Sequence, residues 1–260
     1  MSAFERYVAI GDSATEGLGD PVGPGGFRGW ADRLAERLAK TNPTVQYANV
    51  AVRGRRASEV HSQQLQPAIA LRPDLASVVA GLNDALHPGF DAQRVAGHIE
   101  GMLDALTQAG ATVLTFTLPD PVPVMPIAWF ARPRLIALNQ IVRDAAARTG
   151  AVLVDIERYP VASDPRLWSP DRLHPNPAGH ERLAAAAAYA LGLTGSNGSW
   201  SQPLPPAPAP RRSRRMITEL DWAGRHLLPA LTRKAVGRSS GDSVAAKRPE
   251  LLPMDTGQNG

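Results

Sequence analysis

Between Arg6 and Leu193 the chain alternates short apolar runs with longer amphipathic segments, and this alternation limits the available folds more than any other feature. Tyr7-Val8-Ala9-Ile10 leads into a glycine-rich stretch at 11–29, then into a segment with Trp30, Leu34 and Leu38 at helical spacing. The pattern continues with strands at 45–50, 75–80, 111–118 and 151–156. Helices are expected at 58–70, 91–109, 133–149 and 177–191, the second with Val95, Ile99, Met102, Leu103 and Leu106 on one face. Apolar strands separated by helices predict a mostly parallel sheet covered on both faces. Ligands of such sheets bind beyond the carboxyl ends of the strands, so the chemistry is expected in the loops that follow them.

Past Leu193 the composition changes. Residues 194–215 are Ser/Gly-rich, then Pro-rich, then basic (Arg211, Arg212, Arg214, Arg215), and read as an extended semi-rigid linker. Residues 216–260 read as a basic tail, partly helical from Met216 and then disordered. Charge marks the same boundary: 1–198 hold 18 Lys+Arg against 19 Asp+Glu, whereas 199–260 hold 10 against 5. The body therefore carries no basic field for nucleic acid. The tail admits three readings, namely a helix docked on the body, a disordered segment, or a weak membrane-surface contact through its basic residues.

Cysteine is absent, which excludes disulfides, thiol nucleophiles and Cys-ligated metal. No apolar h-region follows Met1 and no run of 18 apolar residues occurs, so a cytoplasmic location is expected.

Four features fall in order, at the ends of the first three strands and before the last helix. Gly11-Asp12-Ser13 follows the first strand, where a serine hydroxyl can stand at the mouth of the sheet. It is not the G-x-S-x-G elbow, because Thr15 occupies the last glycine position. Gly54 follows the second strand and Asn83 the third; a glycine N–H and an asparagine amide are the donor types an oxyanion hole needs. Asp171 and His174 lie three residues apart in a loop stiffened by Pro170, Pro175 and Pro177, so the acid can orient the imidazole. Asn176 and Pro177 make an N-cap and N1 pair that ends this loop. His180 is six residues from His174, which does not match a helical zinc pair, and no metal or organic cofactor is expected.

The four blocks, Gly-Asp-Ser-Ala-Thr-Glu-Gly at 11–17, Ala-Val-Arg-Gly at 51–54, Gly-Leu-Asn-Asp at 81–84 and Asp-Arg-Leu-His at 171–174, together resemble the SGNH (GDSL-type) hydrolase family over roughly residues 5–192. Ala14 departs from the larger apolar residue that the family often carries. The resemblance implies a three-layer, flavodoxin-like α/β/α fold with a central, mostly parallel five-stranded sheet, residues 1–193 forming the hydrolase domain. It implies hydrolysis of esters or thioesters of small molecules. Ser13 would be the nucleophile, His174 the general base and Asp171 its orienting acid. The oxyanion donors would be the backbone N–H groups of Ser13 and Gly54 and the Asn83 amide. Asp12 and Asp84 are expected to be structural.

Substrate contacts are read from two places. The stiff apolar loop from Leu118 to Pro133 would wall the acyl side through Trp129 and Phe130, favouring medium chains. Arg53, Arg55 and Arg56 either meet an anionic group of the substrate or are solvated. The alternatives to a carboxylesterase or lipase-like enzyme are a deacetylase of sugars and a non-catalytic flavodoxin-like binding domain. In the enzyme readings the tail is expected to be dispensable for hydrolysis of soluble esters.

Overall fold

The computed structural model describes residues 4–206 and 240–254. Five parallel strands form the centre of a sheet: β1 (Arg6–Gly11), β4 (Gln46–Asn49), β5 (Leu75–Val79), β6 (Thr112–Phe116) and β7 (Val152–Val154). A sixth, β8 (Arg248–Pro253), joins antiparallel at one edge, giving the order β7-β6-β5-β1-β4-β8. A short hairpin, β2 (Pro21–Val22) with β3 (Gly26–Phe27), lies outside this sheet.

Successive side chains of a strand point to opposite faces, and here both faces are dry. Val8 and Ile10 of β1 enter one core with Val60 and Leu65 of α3 (Ala57–Ala70), Ile99, Met102 and Leu103 of α5 (Ala92–Gln108), and Leu138 and Val142 of α6 (Arg132–Thr149). Tyr7 and Ala9 enter the other, with Trp30, Leu34 and Leu38 of α2 (Gly29–Thr41) and Ala184 and Ala187 of α7 (Pro177–Ala190). The result is the expected three-layer α/β/α arrangement. Local signals place the helix starts: Asp91 accepts from the Arg94 N–H at the start of α5, and Asn176 from the Gly179 N–H at the start of α7, with Pro177 at N1.

Two expectations are corrected. The sheet has six strands, not five, because residues 248–253, expected to be disordered, pair with β4. Their sequence, Arg-Pro-Glu-Leu-Leu-Pro, lacks strand alternation, and its two prolines are tolerated because β8 is an edge strand. The first part of the expected linker is docked: Arg182 Nη1 donates to the carbonyls of Trp200 and Gln202 at 2.6 and 2.8 Å, and Trp200 packs on Tyr159. Arg166 Nη1 donates to the Pro205 carbonyl at 2.6 Å. The rest of that linker and the expected helix from Met216 lie outside the described residues, within 207–239. Among the described residues no helix is long and apolar enough to cross a membrane.

Candidate active site

The fold brings three strand-end blocks and the loop before α7 to one rim. Ser13 opens a single-turn helix, α1 (Ser13–Glu16), whose N-cap is Asp12; the Asp12 carboxylate accepts from the Ala14 N–H at 3.2 Å. The preceding residue is fixed by buried Gln64, which donates to the Gly11 carbonyl and accepts from its N–H at 2.9 and 2.8 Å. Asn83 lies on another single turn, α4 (Leu82–Ala85), directly after β5. Asp171 and His174 lie in a loop closed by the Ser169 N–H on the His174 carbonyl at 2.9 Å and by pairing of Trp168 with Pro175. Arg172, at φ 60°, makes the tight reversal between the acid and the histidine.

Ser13, His174 and Asp171 are in line. His174 Nε2 is 2.8 Å from Ser13 Oγ, and Nδ1 is 2.7 Å from Asp171 Oδ2. Ser13 and His174 are each only 8% exposed. The second carboxylate oxygen of Asp171 accepts from Ser169 Oγ at 2.6 Å and from the N–H groups of Leu173 and His174 at 2.9 and 3.0 Å. Burial by itself would raise the Asp171 carboxyl. The hydrogen bond and charge of His174, with the bonds from Ser169 and the His174 backbone, outweigh it and hold the group well below the usual carboxylate range.

Gly54 has φ 75°, a left-handed conformation suited to glycine, on the loop after β4. Its neighbours tie that loop to the rest of the rim. The Arg53 N–H donates to Glu16 Oε2 at 2.7 Å, the Arg53 guanidinium grips the same buried carboxylate, and its cation sits 5.1 Å from the Phe27 ring centre. The Arg55 carbonyl accepts from Asn83 Nδ2 at 3.0 Å, and Asn83 Nδ2 also donates to Asp12 Oδ2 at 3.2 Å. A closed circuit therefore runs from Asp12 through α1 to Glu16, Arg53, Gly54, Arg55 and Asn83, and back to Asp12. Sequence reasoning assigned no role to Glu16 or Ser169; Glu16 stands inside the Gly-Asp-Ser block, which was the available signal.

Several residues have structural duties. Arg53, expected as a substrate contact, is instead committed to Glu16, because a buried carboxylate needs a partner. Asp84 accepts from the Ala57 N–H at 2.8 Å at the start of α3, as expected of a structural acid. His180 is fully buried; its Nδ1 accepts from the Trp30 N–H at 3.1 Å and Nε2 donates to the Leu18 carbonyl at 2.9 Å. Burial pushes its pKa down to about 4, so it is a neutral imidazole that joins α7 to α2. Among the described residues no group of three or more His, Asp or Glu is placed to hold a metal ion.

A mostly apolar hollow is lined by Leu82 and Leu173, the chain neighbours of Asn83 and His174, by Leu118, Val124, Met125, Ala128 and Trp168, and by one charged residue, Arg172. The loop after β6 thus supplies a wall, but not through the expected residues. Residues Pro126–Ala131 form a 3₁₀ turn in which Ala128 and Ala131, three apart, face inward and are buried. Trp129 and Phe130 consequently face outward, 69% and 51% exposed.

The family model described as the GDSL-like Lipase/Acylhydrolase family matches residues 9–182. The GDSL lipase Rv0518 of Mycobacterium tuberculosis is 28% identical over 194 residues, covering 72% of this chain and 81% of that protein. Among solved structures, LAE5, an alpha/beta hydrolase from the metagenome of Lake Arreo, superposes with a TM-score of 0.63 at 22% identity, covering 75% of this chain and 99% of its own. TesA gives 0.60 at 21% identity, covering 72% and 98%. Axe2, an acetylxylan esterase from Geobacillus stearothermophilus, gives 0.58 at 19% identity, covering 76% and 96%.

Proposed function

The chain belongs to the GDSL-like lipase/acylhydrolase family and is an ester-hydrolysing enzyme, and from that premise we propose that it cleaves esters through Ser13, His174 and Asp171 and a covalent acyl-enzyme. The observation that carries this reading is the unbroken line from Asp171 Oδ2 through the His174 ring to Ser13 Oγ, with contacts of 2.7 and 2.8 Å.

In this mechanism His174 Nε2 takes the Ser13 hydroxyl proton as Oγ attacks the acyl carbon. Asp171 accepts from Nδ1–H, fixes the tautomer and stabilises the imidazolium; its depressed pKa keeps it ionised throughout. The oxyanion is met by the N–H groups of Ser13 and Gly54 and by Asn83 Nδ2. His174 then gives its proton to the departing alkoxide, and the alcohol leaves. Water, deprotonated by the same imidazole, attacks the acyl-enzyme, and collapse of the second tetrahedral intermediate frees the carboxylic acid and restores Ser13.

The substrate we propose is a small-molecule ester with an apolar acyl chain, received by the hollow beneath Leu118, Met125 and Ala128. That lining favours an aliphatic chain over the sugar acetates on which acetylxylan esterases of this fold act. The test is hydrolysis of p-nitrophenyl esters from acetate to palmitate by wild type and Ser13→Ala. The reading expects turnover by wild type, its loss in the variant, and an optimum longer than acetate. Turnover that survives in Ser13→Ala removes the serine mechanism; an optimum at acetate removes the acyl-chain assignment.

A further inference from the structure

Residues 240–254 run back along the loop that carries Gly54 before pairing on β4. We propose that this segment is a strap that aims the Gly54 N–H, with Gly241 as its positioning residue; this rests on the oxyanion role proposed above for Gly54.

The argument lies in peptide geometry. The Arg53 carbonyl and the Gly54 N–H belong to one planar trans unit, so whatever fixes the direction of the carbonyl fixes that of the N–H. The Arg53 carbonyl is packed directly on Gly241: a Cβ there would stand 2.1 Å from it, and 3.1 Å from Val52 Cγ1. Gly241 does not lie in the left-handed region, so its own backbone does not call for glycine. The close approach to Arg53 does.

On the other side of Arg53, the N–H preceding its Cα is held by Glu16 Oε2 at 2.7 Å. Both peptide planes flanking this residue are thus clamped, one by α1 and one by the strap. Arg55, just beyond Gly54, donates Nη2 to the Gly241 carbonyl at 3.3 Å and places Nη1 3.7 Å from Asp242. The Arg55 carbonyl in turn holds Asn83. Two of the three proposed oxyanion donors therefore lean on the strap, one through Arg53 and one through Arg55.

The strap is anchored well beyond the contact. Lys247 donates to the carbonyls of Phe27 and Arg28 at 3.0 and 2.7 Å and pairs with Asp32. Arg248 Nε donates to the Tyr47 carbonyl at 2.8 Å as β8 begins. A segment fixed at this many points can hold a neighbouring peptide plane against the recoil of a developing charge. The C-terminal residues, expected in the enzyme readings to be dispensable for soluble esters, thereby enter the transition-state geometry.

The test is Gly241→Ala in the full chain, with kcat and KM on a short-chain p-nitrophenyl ester and the ¹H–¹⁵N resonance of Gly54 as readouts. The strap requires that the Gly54 resonance move and that kcat fall about ten- to hundredfold while KM stays within about twofold, the signature of a misaimed oxyanion donor. Should that variant not fold, Asp242→Arg, an exposed substitution that sets a like charge against Arg55, is read in the same way with a severalfold loss of kcat. An unmoved Gly54 resonance with unchanged kcat in the folded variant overturns the inference. A wild type inert on every ester, in which Gly241→Ala still moves the Gly54 resonance, overturns the oxyanion reading and leaves the clamp standing.

Discussion

Asn83 donates a side-chain N–H to Asp12 Oδ2 across 3.2 Å, joining the proposed oxyanion donor to the cap of the helix that opens with Ser13. Its other N–H goes to the Arg55 carbonyl at 3.0 Å. The amide therefore has one orientation, with nitrogen rather than oxygen toward the rim, before any substrate arrives. The longer of the two bonds is the one an oxyanion would compete for. The nitrogen is thus already placed at the rim, and an oxyanion has only to take over the Asp12 bond while the Arg55 bond holds the amide in place.

Asn83→Ala is accordingly expected to lower kcat by about 10²–10³ with little change in KM, since the lost bond forms fully only with the oxyanion. Steady-state kinetics on p-nitrophenyl esters measure it. Near-normal kcat would take Asn83 out of the mechanism.

Asp171→Asn is expected to lower kcat by about 10⁴, because an amide at this position can present a donor to Nδ1 and trap the wrong tautomer. The wild-type carboxyl is held well below its usual range, so it stays ionised as acid is added and does not shape the acid limb of the rate profile. An acid limb that vanished in the variant while kcat stayed high would contradict this.

Asp12 is expected to make stability depend on pH. It is 1% exposed, and burial pushes its carboxyl up to about 6, against the pull of the Ala14 N–H and His174. The folded protein thus keeps this proton to higher pH than the unfolded chain, whose aspartate releases it near the ordinary 3.8. Stability from this group is present at low pH and is lost as pH rises through that window. Asp12→Asn, which can still cap α1, is expected to be more stable than wild type above pH 6 by about 1–3 kcal/mol, with the advantage shrinking toward pH 4. Urea unfolding at about pH 3.5 and about pH 7.5, one on each side of the window, measures the difference; an advantage that grows toward acid would reverse the assignment.

The hollow beside the site gives a prediction about chain length. Trp129 faces outward, so Trp129→Ala should leave the acyl-chain optimum where it is. Met125→Ala should move it to longer chains and Met125→Trp to shorter ones, because Met125 forms part of the lining. A chain-length series with the three variants decides between the two walls.

Periodicity was enough to locate the five parallel strands and the longer helices between them, because the central strands are buried on both faces and these helices pack an apolar face on the sheet. The site blocks were legible for a related reason: a parallel sheet puts its loops at strand ends, where a few short motifs can be read in order. Three features were not legible. β8 carries two prolines and no alternation, and becomes a strand only through the free edge of β4. The bond between Glu16 and Arg53 spans 37 residues and depends on the folded rim. The outward turn of Trp129 follows from a 3₁₀ period that places Ala128 and Ala131 inside, which a list of apolar residues does not reveal.

The anchor of β8 can be tested through Lys247 and Asp32. Burial pushes the Asp32 carboxyl up to about 6 and the Lys247 amine down, and in each case this outweighs the attraction of the partner. A pair of that kind adds little net stability when intact, yet removing one member strands the other. Lys247→Met is expected to cost about 3–5 kcal/mol near neutral pH. It leaves the Asp32 charge buried and takes the donor from the Phe27 and Arg28 carbonyls. The cost should shrink as pH falls toward about 6: Lys247 helps to hold the Asp32 carboxyl down to that value, so in the variant Asp32 takes up its proton at higher pH and the unpaired charge disappears there. Adding Asp32→Asn should recover much of the loss near neutral pH but little at low pH. The recovery should be incomplete, because the two carbonyls still lack their donor. Urea unfolding of the four proteins of this cycle at two pH values measures the coupling. Equal costs at both pH values would mean that Lys247 acts through its carbonyl bonds alone and that the charge on Asp32 has no part in holding β8 to the sheet.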